Sequence, residues 1–198
     1  MDQAQELDTL LERMVADYVA HNRAAGILKH MLDDSGVGFS PVLDHVTIRT
    51  LDIDHAAESF VALGYIYDET LNYNDWYAKV YRRPAYPALF VDQAYDDDRG
   101  KTSIIPGWVK KFGDKVFHHV AVRVEDIEKS VARLKQKGVV FAGSIVGAPG
   151  GSLRQIFSAP EMVDGQPFSV LELAERHRGY QGFLPPQADS LMRSSTGR

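Results

Sequence analysis

The sequence predicts an α+β fold built from two βαβββ modules, and three observations carry that expectation. First, the stretch Asp44-His45-Val46-Thr47-Ile48-Arg49 returns 74 positions later as His118-His119-Val120-Ala121-Val122-Arg123. His45 meets His119, Arg49 meets Arg123, Asp52 meets Asp126, Ile53 meets Ile127 and Gly64 meets Gly138, with no gap between them. Second, both copies have the same texture: a β-branched strand, an acidic turn, an amphipathic helix, a glycine and a further strand. Third, the strands that follow come in runs, without a helix between each pair. That order favours α+β over a doubly wound parallel sheet.

The chain opens with a helical region over residues 3–34. Leu7, Leu10, Leu11, Met14, Val15, Tyr18 and Val19 recur at steps of three and four and form one apolar stripe. A break is expected between Asn22 and Ala25, after which Ile27, Leu28 and Met31 continue a second helix. Asp33-Asp34-Ser35-Gly36 then supplies turn chemistry. His21 and His30 fall in this region and read as surface or packing residues.

The first strand is predicted over 43–50, with His45, Thr47 and Arg49 on one face and Val46 and Ile48 on the other. Ionisable residues on one strand face suggest that this face lines a wet pocket. A helix over 52–63 follows, with Asp52 or Asp54 as N-cap, Ala57, Phe60 and Val61 facing inward, and Gly64 ending it. Strands are expected at 65–70, 78–82 and 88–93. Residues 96–101 read as a polar linker and 104–115 as a loop carrying an exposed Trp108.

The second module is predicted as strand 117–124, helix 126–137, strand 139–141, and strands 152–158 and 168–173. Gly147-Ala148-Pro149-Gly150-Gly151 between them reads as a hairpin connection. It is not a phosphate cradle, because no Lys-Ser/Thr pair follows and no helix opens after it. From Arg176 the chain is expected to be irregular, with a frayed end from Ser194 to Arg198. The expected organisation is one domain: N-terminal helices to residue 36, modules over 41–95 and 115–175, and a tail over 176–198.

Composition narrows the classes of function. A chain of 198 residues can hold one well-packed core or two small fused modules. A formal charge of −5 leaves no electrostatic footprint for nucleic acid or an anionic membrane. The chain has no cysteine, which excludes disulfides, thiolate metal sites and cysteine nucleophiles. Acidic residues stand where a signal peptide carries basic ones, and no apolar run approaches about 18 residues. A cytoplasmic location is the expectation.

The chemistry gathers on three residues. Glu172 lies in Phe168-Ser169-Val170-Leu171-Glu172-Leu173, an otherwise apolar strand, where a carboxylate is too costly to bury without a partner or a metal. With His45 and His119 it makes two imidazoles and one carboxylate from three strands. This is the ligand set of non-haem Fe(II) oxygenases, which leaves metal positions open for substrate and O₂. His118 points to the opposite face of its strand from His119 and is expected to pack.

On these residues the chain resembles the vicinal oxygen chelate superfamily. Asp44-His45-Val46 and His118-His119-Val120 are similar to its first-strand histidines, and Leu171-Glu172-Leu173 to its last-strand glutamate. The likeness spans 43–175. Within the superfamily, three features resemble the 2-oxoadipate dioxygenase/decarboxylase (hydroxyglutarate synthase) family. They are His45-x-x-x-Arg49, the stretch from Ala174 to Phe183, and the tail from Gln187 to Thr196. The chain lacks the large insertion that longer members carry between the two histidines. This resemblance implies Fe(II) as cofactor, bound by His45, His119 and Glu172. It implies a 2-oxo acid that chelates the iron, O₂ as co-substrate, decarboxylation, and hydroxylation of the same carbon chain, best guessed as 2-oxoadipate to 2-hydroxyglutarate. Gln155-Ile156-Phe157 followed by Glu172 is also similar to 4-hydroxyphenylpyruvate dioxygenase.

Arg49 lies on the same strand face as His45, about 13 Å away along the strand. Its guanidinium could hold a substrate carboxylate bidentately, or it could pair with a sheet carboxylate. Arg123 is the weaker equivalent. Gln155 is expected to orient the 2-oxo acid or to satisfy a neighbouring strand, and His177 to be solvated or to support the site. Two other classes stay open. Matching Pro87–Asp92 to Pro167–Glu172 makes Asp92 a candidate fourth ligand, as in a glyoxalase- or epimerase-type isomerase with a redox-inert metal. A non-catalytic binding protein of the same superfamily is the third.

Overall fold

The computed structural model describes residues 2–195. In chain order the elements are α1 (Gln3–Ala20), α2 (Arg23–Asp34), β1 (Leu43–Arg49), α3 (Ile53–Ala62), β2 (Ile66–Asn72), β3 (Trp76–Arg82), β4 (Ala88–Ala94) and α4 (Ile105–Phe112). There follow β5 (Val116–Val124), α5 (Ile127–Gln136), β6 (Phe141–Val146), β7 (Leu153–Ser158), the short pair β8 (Met162–Val163) and β9 (Gln166–Pro167), β10 (Val170–Arg176) and α6 (Pro185–Ser195). The fold is α+β, with β1-α3-β2-β3-β4 answered by β5-α5-β6-β7-β10. Backbone contacts divide the chain into one unit of residues up to 16 with 45–118, and a second of 17–44 with 119–198.

In the first unit the strand order is β2-β3-β4-β1. β1 runs parallel to β4, pairing His45 with Ala88 and Arg49 with Asp92, while β2, β3 and β4 are antiparallel neighbours. Val46, Ile48, Leu89 and Val91, alternating with the polar residues, are wholly buried. α3 starts where Asp52 accepts a hydrogen bond from the His55 amide at 3.1 Å. It ends at Gly64, whose φ of +91° is the left-handed conformation that glycine adopts without cost. Ala57 and Phe60 face inward as expected, but Val61 is half exposed.

The segment expected as a loop around Trp108 is instead α4, and Trp108 is buried. Pro106 stands in its first turn, and Ile105, Trp108 and Val109 form a one-turn apolar face. Eight residues with a glycine in the first turn show too little periodicity to be recognised without the surface they pack on.

In the second unit the strand order is β5-β10-β7-β6. β10 is parallel to β5 and antiparallel to β7. α5 is N-capped by Asp126, which accepts from the Lys129 amide at 2.9 Å. The strand expected at 139–141 begins only at Phe141, because Val139 is used to finish the helix, its amide donating to Leu134 O at 3.0 Å. Ala142-Gly143-Ser144 carries little strand propensity, so β6 was not legible. The glycine-rich stretch after it does join two antiparallel strands, β6 and β7.

Asn22 caps α2, accepting from the Ala25 amide at 2.9 Å, which explains the break in the helical region. Tyr18 on α1 donates its hydroxyl to Val170 O at 2.5 Å and so fastens the helix to β10. The tail is not irregular throughout. Arg176 donates to both oxygens of Asp44 at 2.7 and 2.8 Å and to Gly182 O at 2.8 Å. α6 then buries Leu191 and Met192. Of the end expected to fray, Ser194 and Ser195 belong to α6, and 196–198 lie outside the described residues.

The equivalent caps offer a check on the helix assignment. Asp126→Ala should lower stability by about 1 kcal/mol, the usual cost of losing an N-cap acceptor. Urea unfolding measures it, and a variant as stable as wild type would remove the cap's role.

Candidate metal centre

In the second unit the parallel pairing of β5 with β10 sets Val170 beside His119 and Glu172 beside Ala121. His119 and Glu172 therefore project from one face, a short diagonal apart. Glu172 Oε2 lies 3.5 Å from His119 Nε2, and Glu172 is only 1% exposed. Its other oxygen, Oε1, accepts from Gln155 Nε2 at 2.5 Å. Directly across β7, Phe157 pairs with Glu172 and packs its ring on His119, with centroids 5.1 Å apart and planes tilted by 50°. Burial pushes the Tyr18 hydroxyl well above the usual tyrosine range, with the charges of Glu161 and Glu172 adding to that shift.

The first unit repeats part of this arrangement. His45 packs on Phe90 with centroids 5.1 Å apart and a tilt of 46°, matching the His119–Phe157 pair. Arg49, further along β1, is 1% exposed and lies over Trp108 of α4 at 5.1 Å from the ring centroid. Beside it in register is Asp92, also 1% exposed. Burial draws the Arg49 guanidinium down to about 10, against the pull of Asp92. Burial likewise raises the Asp92 carboxyl to about 7, with Arg49 and His45 opposing the shift. Asp92 Oδ1 has no hydrogen-bond partner among the described residues.

His45, Thr47 and Arg49 on one face of β1 are 3%, 1% and 1% exposed. These positions correct one expectation. The match of Asp92 with Glu172 is displaced by two residues. His45 pairs with Ala88 and His119 with Val170, so Phe90 is the counterpart of Glu172, and Asp92 corresponds to Ala174. The helix caps agree with this register: Gln93 Oε1 accepts from the Ile53 amide at 2.6 Å, as Glu175 Oε2 does from the Ile127 amide at 2.7 Å. A shift of two keeps the strand face but not the position along it.

The remaining candidates have other neighbours. Arg123 is half exposed and donates to Asp44 Oδ2 at 3.1 and 3.2 Å. His118 meets the Trp108 ring edge-on at 5.9 Å. His177 Nε2 lies 2.5 Å from Glu175 Oε1. His21 and His30 are on the surface. Sequence reasoning missed Tyr18 as a neighbour of Glu172, since its place in the helical stripe marked it only as apolar packing. No helix among the described residues is long and apolar enough to cross a membrane.

Residues 44–157 match the family model described as Glyoxalase/Bleomycin resistance protein/Dioxygenase superfamily. No curated protein matches the chain. Among solved structures, hydroxyglutarate synthase from Oryza sativa, in complex with 2-oxoadipate, is similar at 17% identity and a TM-score of 0.81, over 98% of this chain and 93% of that one. A 4-hydroxymandelate synthase mutant from Streptomyces coelicolor is similar at 20% identity and 0.67, over 81% of this chain and 56% of that one. Methylmalonyl-CoA epimerase from Mycobacterium tuberculosis is similar at 23% and 0.52, over 70% and 89%. At these identities the likeness is one of fold.

The buried Asp92 makes stability depend on pH. Unfolded, an aspartate titrates near about 4; folded, this one titrates at about 7. Between those values the folded chain keeps a proton that the unfolded chain has released, so this group's contribution to stability falls as pH rises through the window. Asp92→Asn should flatten that slope, read as the change in urea-unfolding free energy between about pH 5 and about pH 8. A slope untouched by the substitution would mean that Asp92 is ordinarily ionised.

Proposed function

The chain belongs to the Glyoxalase/Bleomycin resistance protein/Dioxygenase superfamily, and from that premise we propose that it is a non-haem Fe(II) dioxygenase/decarboxylase of a 2-oxo acid. His45, His119 and Glu172 are the proposed metal ligands, and 2-oxoadipate, converted to 2-hydroxyglutarate with release of CO₂, is the proposed substrate. One observation carries this reading. Glu172 is buried in an apolar strand with one oxygen turned to a histidine nitrogen at 3.5 Å, an arrangement suited to a shared cation. The matching ring environments of His45 and His119 support a common role for the two imidazoles.

The donor set fits the metal: two imidazoles and a carboxylate, with no thiolate in the chain. When bound, Fe(II) supplies a centre at which a 2-oxo acid and O₂ are held side by side. The chain's own residues do the rest. Phe90 and Phe157 fix the planes of the two imidazoles. Arg49, which lies over Trp108 and beside Asp92 in register, is the group proposed to hold the far carboxylate of the substrate. The burial of all these side chains excludes water, which strengthens each polar contact.

The isomerase reading required Asp92 as a fourth ligand at the place of Glu172, and that place is held by Phe90. Oxygen consumption separates the two, because an isomerase consumes none. Anaerobic loading with Fe(II), followed by O₂ uptake in the presence of 2-oxoadipate or 4-hydroxyphenylpyruvate, should show turnover with 2-oxoadipate. His45→Ala, His119→Ala or Glu172→Ala should abolish metal binding or turnover; wild-type iron content and activity in all three would defeat the assignment. Arg49→Ala should retain iron while KM rises roughly 10- to 100-fold, the scale of one or two lost charge-assisted hydrogen bonds. Unchanged kinetics on a dicarboxylic 2-oxo acid would reject that role.

A further inference from the structure

We propose that Gln155 is a positioning residue that makes Glu172 a one-oxygen metal ligand by occupying its other oxygen, an inference that rests on the metal reading above. Gln155 lies on β7 opposite Ala174, two residues from the Phe157–Glu172 pair and on the same face. That diagonal is within reach of a long side chain. An ionised carboxylate only accepts hydrogen bonds, so the contact at 2.5 Å must come from the amide nitrogen of Gln155, which fixes how the amide is turned. Glu172 Oε1 is thereby committed, and Oε2 is the oxygen that faces His119 Nε2 at 3.5 Å. Phe157 is the register partner of Glu172 on β7 and packs its ring on His119.

The consequence is chemical. A carboxylate free to rotate can bind a cation through both oxygens and fill a coordination position. Held by one oxygen, it leaves with the two imidazoles half of an octahedral shell open, enough for a chelating 2-oxo acid and O₂ together. Partners that orient a ligand in this way commonly change metal affinity by 10- to 100-fold when removed. The contact ties Gln155 to the neighbouring strand, one of the two roles its sequence position left open, and gives it a task toward Glu172.

Gln155→Leu and Gln155→Asn test this, the first removing the amide and the second leaving it too short to reach Oε1. The metal-free protein is titrated anaerobically with Co(II), following both affinity and the visible absorption that reports coordination number, with thermal melting as a check on folding. Both variants should bind Co(II) roughly 10- to 100-fold more weakly and with an altered spectrum. If Gln155→Leu does not fold, Gln155→Asn alone decides. Wild-type affinity and spectrum in a folded variant, with only KM for 2-oxoadipate raised, would overturn the proposal and make Gln155 a substrate contact. A wild-type protein that binds no Co(II) would overturn the metal reading itself, and this inference with it.

Discussion

A carboxylate placed in the middle of an apolar strand has to be answered, and much of the second unit follows from how Glu172 is answered. Isolated burial of that charge would cost several kcal/mol. The parallel pairing of β10 with β5 brings His119 to one side, and the antiparallel pairing with β7 brings Gln155 and Phe157 to the other. No single neighbour could do this. Only a strand central to its sheet, with partners on both edges, offers two independent sets of side chains to one carboxylate.

The duplication shows which parts of this device are architectural and which are chemical. Both modules cap their helix with an acid-led turn and anchor the helix start to a long polar side chain, Gln93 in one and Glu175 in the other. Both press a histidine on a phenylalanine. They part company at the position of Glu172, which is Phe90 in the first module, and at Asp92, which is Ala174 in the second. Each module thus keeps one buried acid on this face, in a different place and with a different partner. Arg49 sits beside Asp92 in register and over Trp108, whereas its repeat counterpart, the half-exposed Arg123, donates to the buried Asp44. The first module therefore pairs a buried acid with a buried guanidinium, and the second pairs its buried acid with an imidazole and an amide.

The same physics explains the tension around Arg49 and Asp92. Desolvation weakens both charges while their proximity restores them, leaving the pair electrostatically soft. Such a pair is a costly way to stabilise a fold.

Local sequence determined the module order, the caps at Asn22, Asp52 and Asp126, the glycine turns and the strand faces, because these depend on neighbours within a few residues. It also marked Glu172 as a residue in need of a partner. It could not say that the partner would be Gln155, because cross-strand contacts depend on register, and register is set by pairings far apart in the chain. For the same reason the match between Asp92 and Glu172 slipped by two residues, and α4 and α6 passed as loops until the surfaces that bury Trp108 and Leu191 were in place. Tertiary structure alone decided which polar groups share a face at bonding distance.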